Sequence, residues 1–429
     1  MTVKTELLCP AGTIKSLRYA FAYGADAVYA GLPRYSLRVR NNDFDYENLS
    51  KGINYAHDLG RKVYVVVNIQ PHNAKLRTFD SDIKEILALN PDALIMSDPG
   101  LIMMVREQHP EANIHLSVQA NAVNWATVKF YEKQGISRVI LSRELSLEEI
   151  EEIRQRCPDI ELEVFVHGAL CMAYSGRCLL SGYLNHRDPN QGTCTNACRW
   201  RYKINPAQED DVGNIVALGH TSQPIMVQEP DHPDELMSAF EDEHGSYIFN
   251  SKDLRAVHLV DRLVKIGVNS LKIEGRTKSF YYVSRTAQVY RQAIDDALAG
   301  RAFNPDLSLQ LDDLASRGYT EGFLVRHPHT DYQNYDRGYS SSDTAKLAGE
   351  ILERKDDLIK VAVRNHFEDG DKIHVMTPGG NFEMTISGLM DEKMRPVTTA
   401  PGDGYTVWFK IPENHINTDF GIILRLMDK

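Results

Sequence analysis

Long apolar runs are missing from this sequence of 429 residues. No stretch approaches the ~18 consecutive apolar residues that a membrane-spanning helix needs, so we expect no membrane partner. The first residues, MTVKTELLCPAG, lack a basic stretch followed by an apolar segment, which predicts no secretory signal and a cytoplasmic location. The remaining composition, 42% hydrophobic and 25% charged, is that of an ordinary globular protein.

Two common hydrolase motifs are also missing. The sequence contains neither H-E-x-x-H, which binds zinc in metallopeptidases, nor G-x-S-x-G, which carries a serine nucleophile. A peptidase needs an activated nucleophile or a metal-bound water. Cys171, with His167 four residues earlier, is the one nucleophile and base pair that we single out. A peptidase is therefore the alternative interpretation.

Cysteine is scarce, and its distribution is uneven. Four of the six cysteines lie between residues 171 and 198, whereas Cys9 and Cys157 stand apart in apolar surroundings. Six cysteines are too few for a disulfide scaffold, and clustered thiols in a reducing compartment indicate metal ligands or reactive groups. Cys9 and Cys157 are predicted to be buried as small apolar side chains.

Short β-branched runs alternate with amphipathic segments from residue 6 to about residue 300, a pattern typical of a parallel sheet with crossover helices. The eight predicted strands are 6–10, 27–32, 62–68, 93–98, 113–119, 138–143, 161–168 and 270–275. Ser146 and Glu149 form a predicted capping box at the start of one helix. The count favours an α/β fold with a (β/α)8 TIM-like barrel, and a doubly wound open sheet is the competing interpretation.

The regular spacing is interrupted once, after the seventh strand. We predict a catalytic domain over 1–300, with an insertion over 169–250 that carries the clustered cysteines. A polar linker over 301–345 is expected to lie on the surface as a tether. Alternating segments with DG, PGG and PGDG turns follow over 346–429 and predict a small C-terminal β-barrel domain.

Polar residues stand at the carboxyl ends of six predicted strands. In a (β/α)8 barrel these ends meet at one mouth, where such enzymes carry out their chemistry. An alternative is that strand ends are polar because loops begin there. The six residues are Asn68, Asp98, Gln119, Arg143, His167 and Glu274.

The cysteines are spaced C-x6-C-x15-C-x3-C, as Cys171, Cys178, Cys194 and Cys198. Four thiolates suit either a tetrahedral zinc ion or an iron-sulfur cluster. Structural zinc sites favour pairs two to four residues apart, and only Cys194 and Cys198 meet that spacing. Spacing alone leaves cluster and zinc open.

The segment EVFVHGALCMAYSGRCLLS, from Glu163 to Ser181, resembles the signature E-x-F-x-x-G-[SA]-[LIVM]-C-x4-G-x-C-x-L-S of the collagenase-like peptidases of unassigned catalytic type, and matches every fixed position. The similarity extends to ELLCPAG, SLKIEGR and RGYTEGF, and so covers most of the chain. It is strongest to members that take part in RNA hydroxylation.

This resemblance implies a [4Fe-4S] cluster and oxygen-independent hydroxylation of the tRNA wobble uridine to 5-hydroxyuridine, with prephenate as the hydroxyl source. Carried over by position, Cys171, Cys178 and Cys194 are ligands. Cys198 completes the set here, although a related branch of the family places its fourth cysteine further downstream. The implied reaction requires an electron donor that the sequence does not identify, and an accessory subunit is compatible with it.

Several cations are candidates for holding a dicarboxylate or a phosphate. Lys272 and Arg276 flank Glu274 at the end of the eighth strand, where barrels commonly bind anions, and Arg143 is the next candidate. An internal ion pair between Lys272 and Glu274 is the alternative. His167 is a candidate acid or base, or else a strand-end histidine with a structural role.

Further cations are candidates for RNA contact. Arg34, with Arg38 and Arg40, follows the second strand as a candidate phosphate contact or a solvated loop. Arg199 and Arg201 alternate with aromatic residues after the last cysteine, which is typical of a base-stacking edge or of a half-buried strand.

The net charge of −11 is local rather than general. Residues 206–246 contain ten acidic residues and no lysine or arginine, whereas residues 177–203 contain five cations and one acid. The total charge therefore does not exclude tRNA as a partner. The acidic segment is either a guard over the basic loop or a plain solvated face.

Overall fold

The computed structural model describes residues 5–37, 42–171, 173–174, 177–178, 180–181, 195, 251–325, 342, 344–412 and 417–427. Between 201 and 250 it describes only the backbone of five short strands, Ala207–Glu209, Ile215–Ala217, Ile225–Gln228, Leu236–Asp242 and Gly245–Tyr247. These strands form two small antiparallel sheets within the insertion.

Eight parallel strands close into a barrel, which confirms the predicted fold class. Each strand pairs with the next along the chain, and the eighth pairs with both the seventh and the first. The strands are β1 Glu6–Pro10, β2 Ala27–Ala30, β3 Lys62–Val67, β4 Ala93–Met96, β5 Ile114–Leu116, β6 Arg138–Ile140, β7 Glu161–Ala169 and β8 Ser270–Ile273.

Helices cover the outside of the barrel and bury their apolar faces against it. Side-chain caps begin several of them: the Asp98 carboxylate accepts from the Leu101 backbone N–H, and the predicted capping box of Ser146 and Glu149 is present. The helices are α1 Ile14–Ala22, α2 Tyr46–Asp58, α3 Asn73–Ala88, α4 Pro99–Gln108, α5 Trp125–Lys133, α6 Leu147–Arg156, α7 Val260–Ile266, α8 Phe280–Leu298 and α9 Asp306–Asp312. Short 3-10 turns occupy Val118–Ala120, Val257–Leu259 and Gly322–Leu324.

The prediction of a surface tether over 301–345 is wrong for its first part. Helix α9 buries Leu307 and Leu311 against the barrel helices. The short strand Tyr319–Thr320 pairs with the strand Asp253–Arg255, which itself runs antiparallel to the end of β7. Residues 326–341 and 343 lie outside the described residues. The segment after α8 therefore completes the barrel domain.

An antiparallel sheet domain follows, as the turn pattern predicts. A seven-stranded sheet runs in the order β13-β12-β17-β9-β10-β16-β14, and β11 pairs with β15 beside it. Its strands are β9 Ala345–Lys355, β10 Leu358–Val363, β11 Phe367–Glu368, β12 Lys372–Thr377, β13 Gly380–Thr385, β14 Met390–Asp391, β15 Thr399–Ala400, β16 Thr406–Lys410 and β17 Ile422–Leu426.

The C-terminal domain docks on α1 and α8. The Tyr23 hydroxyl lies 3.1 Å from the Met376 carbonyl oxygen and 2.9 Å from that of Phe420. The Tyr19 hydroxyl donates to Glu350 at 2.8 Å, and both tyrosines are buried. These polar contacts are surrounded by a core that the two domains share, so the domains form one continuous packing unit.

Candidate active site at the barrel mouth

Four of the predicted residues are brought together at the carboxyl ends of the strands. Tyr29, on β2, lies at their centre: its hydroxyl is 3.4 Å from the Glu274 carboxylate, and its ring lies 4.3 Å from the Lys272 ammonium and 5.8 Å from the Arg276 guanidinium. Burial raises the pKa of the Tyr29 hydroxyl well above its usual value, and the Glu274 charge adds to this effect, so the phenol stays protonated. Arg143 completes this mouth cluster through Glu274.

Arg143 is fixed on three sides. Its guanidinium stacks on the Phe165 ring at 4.1 Å, donates to the Ala169 carbonyl oxygen at 2.8 Å, and lies 3.5 Å from the Glu274 carboxylate. Its Nε is buried and makes no hydrogen bond to any residue that the structure describes. Because Ala169 stands two residues before Cys171, Arg143 ties the start of the cysteine loop to the mouth.

Glycine is required where β7 passes β8. Gly168 has φ +113°, a left-handed conformation that other residues rarely adopt, and a Cβ there would lie 2.5 Å from the Glu274 carbonyl oxygen. The two strands can approach this closely only because position 168 has no side chain. This approach places Glu274 beside the chain that leads to Cys171.

Lys272 pairs with Glu163 rather than with Glu274. Its Nζ lies 2.8 Å from the Glu163 carboxylate inside the barrel, where both side chains are buried. Burial lowers the pKa of Lys272, and the charge of Glu163 opposes that shift. The internal ion pair that the sequence left as an alternative is therefore present, with a different acid. Lys272 forms the floor of the mouth.

The ion pair continues down the barrel axis as an alternating ladder. Arg138 contacts Glu163 at 3.2 Å and Glu6 at 2.6 Å, and the Tyr64 hydroxyl donates to Glu6 at 2.7 Å. Burying charges is unfavourable unless each is paired. The charges of Glu6, Arg138, Glu163 and Lys272 balance, so this ladder replaces part of the branched apolar filling that is common in such barrels.

His167 is not part of the mouth cluster. Its ring packs against Tyr282, Tyr290 and Tyr319, with centroid distances of 5.5 to 5.8 Å. Burial lowers the pKa of His167 to about 3, so the ring is neutral at physiological pH.

The hydrogen bonds of Tyr290 fix the tautomer of His167. The Tyr290 hydroxyl donates to the Val166 carbonyl oxygen at 2.7 Å, and it therefore accepts from His167 Nδ1 at 3.3 Å. The structure places His167 in a structural environment, and an acid or base role for it stays a prediction.

The other strand-end residues serve mainly local structure. Asp98 caps α4, and Asn68 accepts from the Leu37 backbone N–H at 3.2 Å. The Gln119 side-chain oxygen is buried without a hydrogen-bond partner among the described residues. Of the six polar strand ends, the described contacts join only Arg143 and Glu274 to each other.

Arg276 and Arg34 belong to two parts of the mouth. Arg276 is 8% exposed and donates to the Ser36 hydroxyl at 2.6 Å, which ties β8 to the loop after β2. Arg34 lies outside it, with 54% of its side chain exposed and its Nε 3.2 Å from Asp82 on α3. Arg276 thus faces the mouth, and Arg34 faces its rim.

The described cysteines separate into two classes. Cys171 is exposed and Cys178 is half-buried, just beyond the end of β7. Cys9 and Cys157 are buried as predicted, and burial raises the pKa of both thiols, which disfavours the thiolate that a metal requires. Cys171 and Cys178 therefore fit a ligand role better than the other two described cysteines.

The remaining predicted ligands and RNA contacts, Cys194, Cys198, Arg199 and Arg201, lie outside the described residues. Within the described ranges, no three His, Cys, Asp or Glu side chains are gathered as a metal site. The same part of the chain contains no helix with the length and hydropathy of a bilayer span.

Sequence reasoning missed Tyr29 and Phe165, the two aromatic residues that organise the mouth. Tyr29 is the one residue with a polar tip in the otherwise small and apolar strand Ala27–Ala30, which is a signal that could have marked it. Phe165 is a fixed position of the matched signature, but its place between Arg143 and Lys272 depends on the barrel closure.

Comparisons with known proteins agree with this architecture. The profile of peptidase family U32 matches residues 12–334, and that of the peptidase family U32 C-terminal domain matches residues 343–425. The chain is 63% identical to "tRNA hydroxylation protein P" of Escherichia coli, over 98% of this chain and 97% of that protein. It is 59% identical to the protein of the same name from Haemophilus influenzae, over 98% and 96%.

A more distant relative acts on another RNA. The chain is 31% identical to the "23S rRNA 5-hydroxycytidine C2501 synthase" of E. coli, over 88% of this chain and 53% of that protein. The two profiles together span nearly the whole sequence, and the resemblance drawn from the cysteine signature is confirmed. The chain belongs to peptidase family U32.

Proposed function

We propose that this chain is a tRNA-modifying enzyme that converts the wobble uridine to 5-hydroxyuridine without oxygen, with prephenate as the hydroxyl source. The observation that carries the proposal is the 63% identity, over almost the full length of both chains, to a protein named for tRNA hydroxylation. The 31% identical relative is named for hydroxylation of a different RNA base, which supports the same class of chemistry.

The proposed cofactor is a [4Fe-4S] cluster held by Cys171, Cys178, Cys194 and Cys198. Four thiolates satisfy such a cluster, which supplies one-electron redox chemistry when it is bound. The exposure of Cys171 and Cys178 beside the mouth supports this assignment. Zinc is the alternative occupant of the same thiolates.

The charges at the mouth favour an anionic small substrate. Lys272 is neutralised by Glu163, so Arg143 and Arg276 stand against the single carboxylate of Glu274 and leave one positive charge in excess. Guanidinium groups bind carboxylates through paired hydrogen bonds. We assign the carboxylates of prephenate to Arg143 and Arg276, and the orientation of Arg143 to Glu274.

The peptidase alternative receives less support from the contacts. A cysteine peptidase needs its histidine within hydrogen-bond reach of the thiol. The Nδ1 of His167 instead bonds to Tyr290, and the His167 ring is enclosed by three tyrosines. We therefore do not propose a peptidase.

Mass spectrometry of tRNA nucleosides tests the reaction. A strain that lacks this gene and any redundant hydroxylase is expected to lose 5-hydroxyuridine and its derivatives, and a plasmid copy is expected to restore them. If the nucleosides are unchanged in the deletion strain, the proposed reaction is wrong.

An optical spectrum tests the cofactor separately. Protein purified without oxygen is expected to show a broad absorbance near ~400 nm that dithionite bleaches. A colourless protein that contains one zinc ion per chain would contradict the cluster and leave the RNA assignment open to the nucleoside measurement.

A further inference from the structure

Two neighbouring loops at the barrel mouth carry cations and no acids. Residues 31–42 follow β2, and residues 68–79 follow β3; together they contain five arginines and lysines and no aspartate or glutamate. The chain as a whole has more acidic than basic residues, 59 against 48. Arg38 and Arg40 lie outside the described residues, so the argument rests on Arg34, Lys75 and Arg77, which we call the rim patch.

The cations of the rim patch are crowded together. The Lys75 ammonium donates to the Arg34 carbonyl oxygen at 3.3 Å, and burial together with the Arg34 charge lowers the pKa of Lys75. Arg34 is paired with Asp82, whereas neither Lys75 nor Arg77 pairs with a carboxylate among the described residues. Like charges in contact are unfavourable unless an anion joins them.

The rim patch is held rigidly beside the mouth. The Arg276 guanidinium donates to Ser36, and the Ile69 backbone N–H donates to the Tyr35 carbonyl oxygen at 3.3 Å, so the two loops are bonded to β8 and to each other. Helix α3 also begins at this rim. No acidic residue stands in its first turn, and no side chain caps its free N–H groups. A preorganised surface of this kind loses little entropy on binding.

We infer that the rim patch is a contact surface for the RNA phosphate backbone, which positions the substrate beside the barrel mouth. The inference rests on the proposed function and adds where the tRNA lies. Exposed arginine and lysine side chains and unpaired backbone N–H groups are the donors that phosphates receive from proteins. Phosphate contacts fix position without reading sequence, and a base to be modified must leave its stack to enter the mouth.

Binding of tRNA to the intact protein tests the inference. The variant Arg34→Gln, Lys75→Gln, Arg77→Gln is compared with the wild type by fluorescence anisotropy over a range of salt concentrations. Each lost phosphate contact removes about 0.7 from the slope of log K against log salt, so three contacts predict a slope shallower by about 2 and roughly 100-fold weaker binding near 0.1 M salt.

A matched control removes three cations from the opposite end of the barrel. Lys133, Arg156 and Lys265 are exposed in the last turns of α5, α6 and α7. Changing all three to glutamine alters the net charge equally, and we expect a slope close to that of the wild type. Unfolding curves of both variants verify that they fold.

If the two triple variants lose affinity equally, only net charge matters and the rim patch is not a binding surface. The same conclusion follows if the rim variant binds tRNA as tightly as the wild type. Either result leaves the proposed function standing as long as the deletion strain loses 5-hydroxyuridine. A deletion strain that retains the nucleoside would instead remove the proposed function itself.

Discussion

The buried His167 predicts how stability depends on pH. The folded protein holds the pKa of His167 at about 3, against 6.5 for a free histidine, because the ring is buried among three tyrosines. Below about pH 6.5 the unfolded chain takes up a proton that the folded chain refuses, so the free energy of unfolding falls as the pH is lowered.

The substitution His167→Asn isolates this contribution. The asparagine amide nitrogen can take the place of Nδ1 and donate to Tyr290, but it does not titrate. Integrating the difference in pKa between about pH 7.5 and about pH 5.5 gives a wild-type loss of about 1.4 kcal/mol that the variant lacks. Any constant loss of packing in the variant cancels, since only the change with pH is compared.

The assay is urea unfolding without oxygen at the two pH values, for the wild type and for His167→Asn. We expect the difference in free energy of unfolding between the two proteins to shrink by about 1.4 kcal/mol as the pH falls. The substitution His366→Asn, at a half-exposed histidine of the C-terminal domain, serves as the matched control. Equal pH dependence in the wild type and His167→Asn would refute the reasoning.

Three further substitutions test the packing around the mouth and between the domains. Lys272→Met leaves Glu163 short of a cation and is expected to lower the free energy of unfolding by about 3 to 5 kcal/mol in urea, whereas adding Glu163→Gln to it should recover a large part. Gly168→Ala places a methyl group against the Glu274 carbonyl, and we expect a lower Tm by calorimetry together with loss of tRNA modification in cells. Tyr23→Phe leaves two carbonyls of the C-terminal domain without their donor, which is expected to cost about 1 to 3 kcal/mol by urea unfolding; an unchanged midpoint would mean that this contact does not hold the domains together.

The strands and the barrel could be predicted from the sequence because their signals are local. The eight apolar runs coincide with β1 to β8, and the capping box of Ser146 and Glu149 forms as its spacing predicts. Cys9 and Cys157 are buried because each stands in an apolar environment that its neighbours in the chain already define.

The partners of charged residues could not be predicted, since they depend on which side chains the barrel closure turns inward. The pairing of β8 with β7 shifts by one residue between Lys272 and Ile273, and this irregularity breaks the alternation of the two faces. Phe165 therefore contacts Lys272 in the interior, whereas His167, two residues later, contacts Tyr290 on α8. A register shift of one residue leaves no mark in the hydrophobic pattern.

The linker prediction failed for a related reason. Polar composition indicated a surface tether after α8, but three leucines of this segment are buried. Arg285 of α8 pairs with Asp313 at 3.2 Å, and Arg317 pairs with Asp253. Charged residues that find partners on the barrel lower the apparent hydrophobicity of a segment without exposing it.

The central claim is that the clustered cysteines serve tRNA hydroxylation, and one complementation experiment tests it most directly. A deletion strain receives the wild-type gene, Cys171→Ala or Cys9→Ala, with equal protein levels, and its tRNA nucleosides are measured by mass spectrometry. Cys171 is exposed at the end of β7, and Cys9 is buried in β1, so the two alanine variants separate ligand loss from thiol loss. The account predicts 5-hydroxyuridine with the wild type and Cys9→Ala and none with Cys171→Ala; wild-type levels with Cys171→Ala would contradict it.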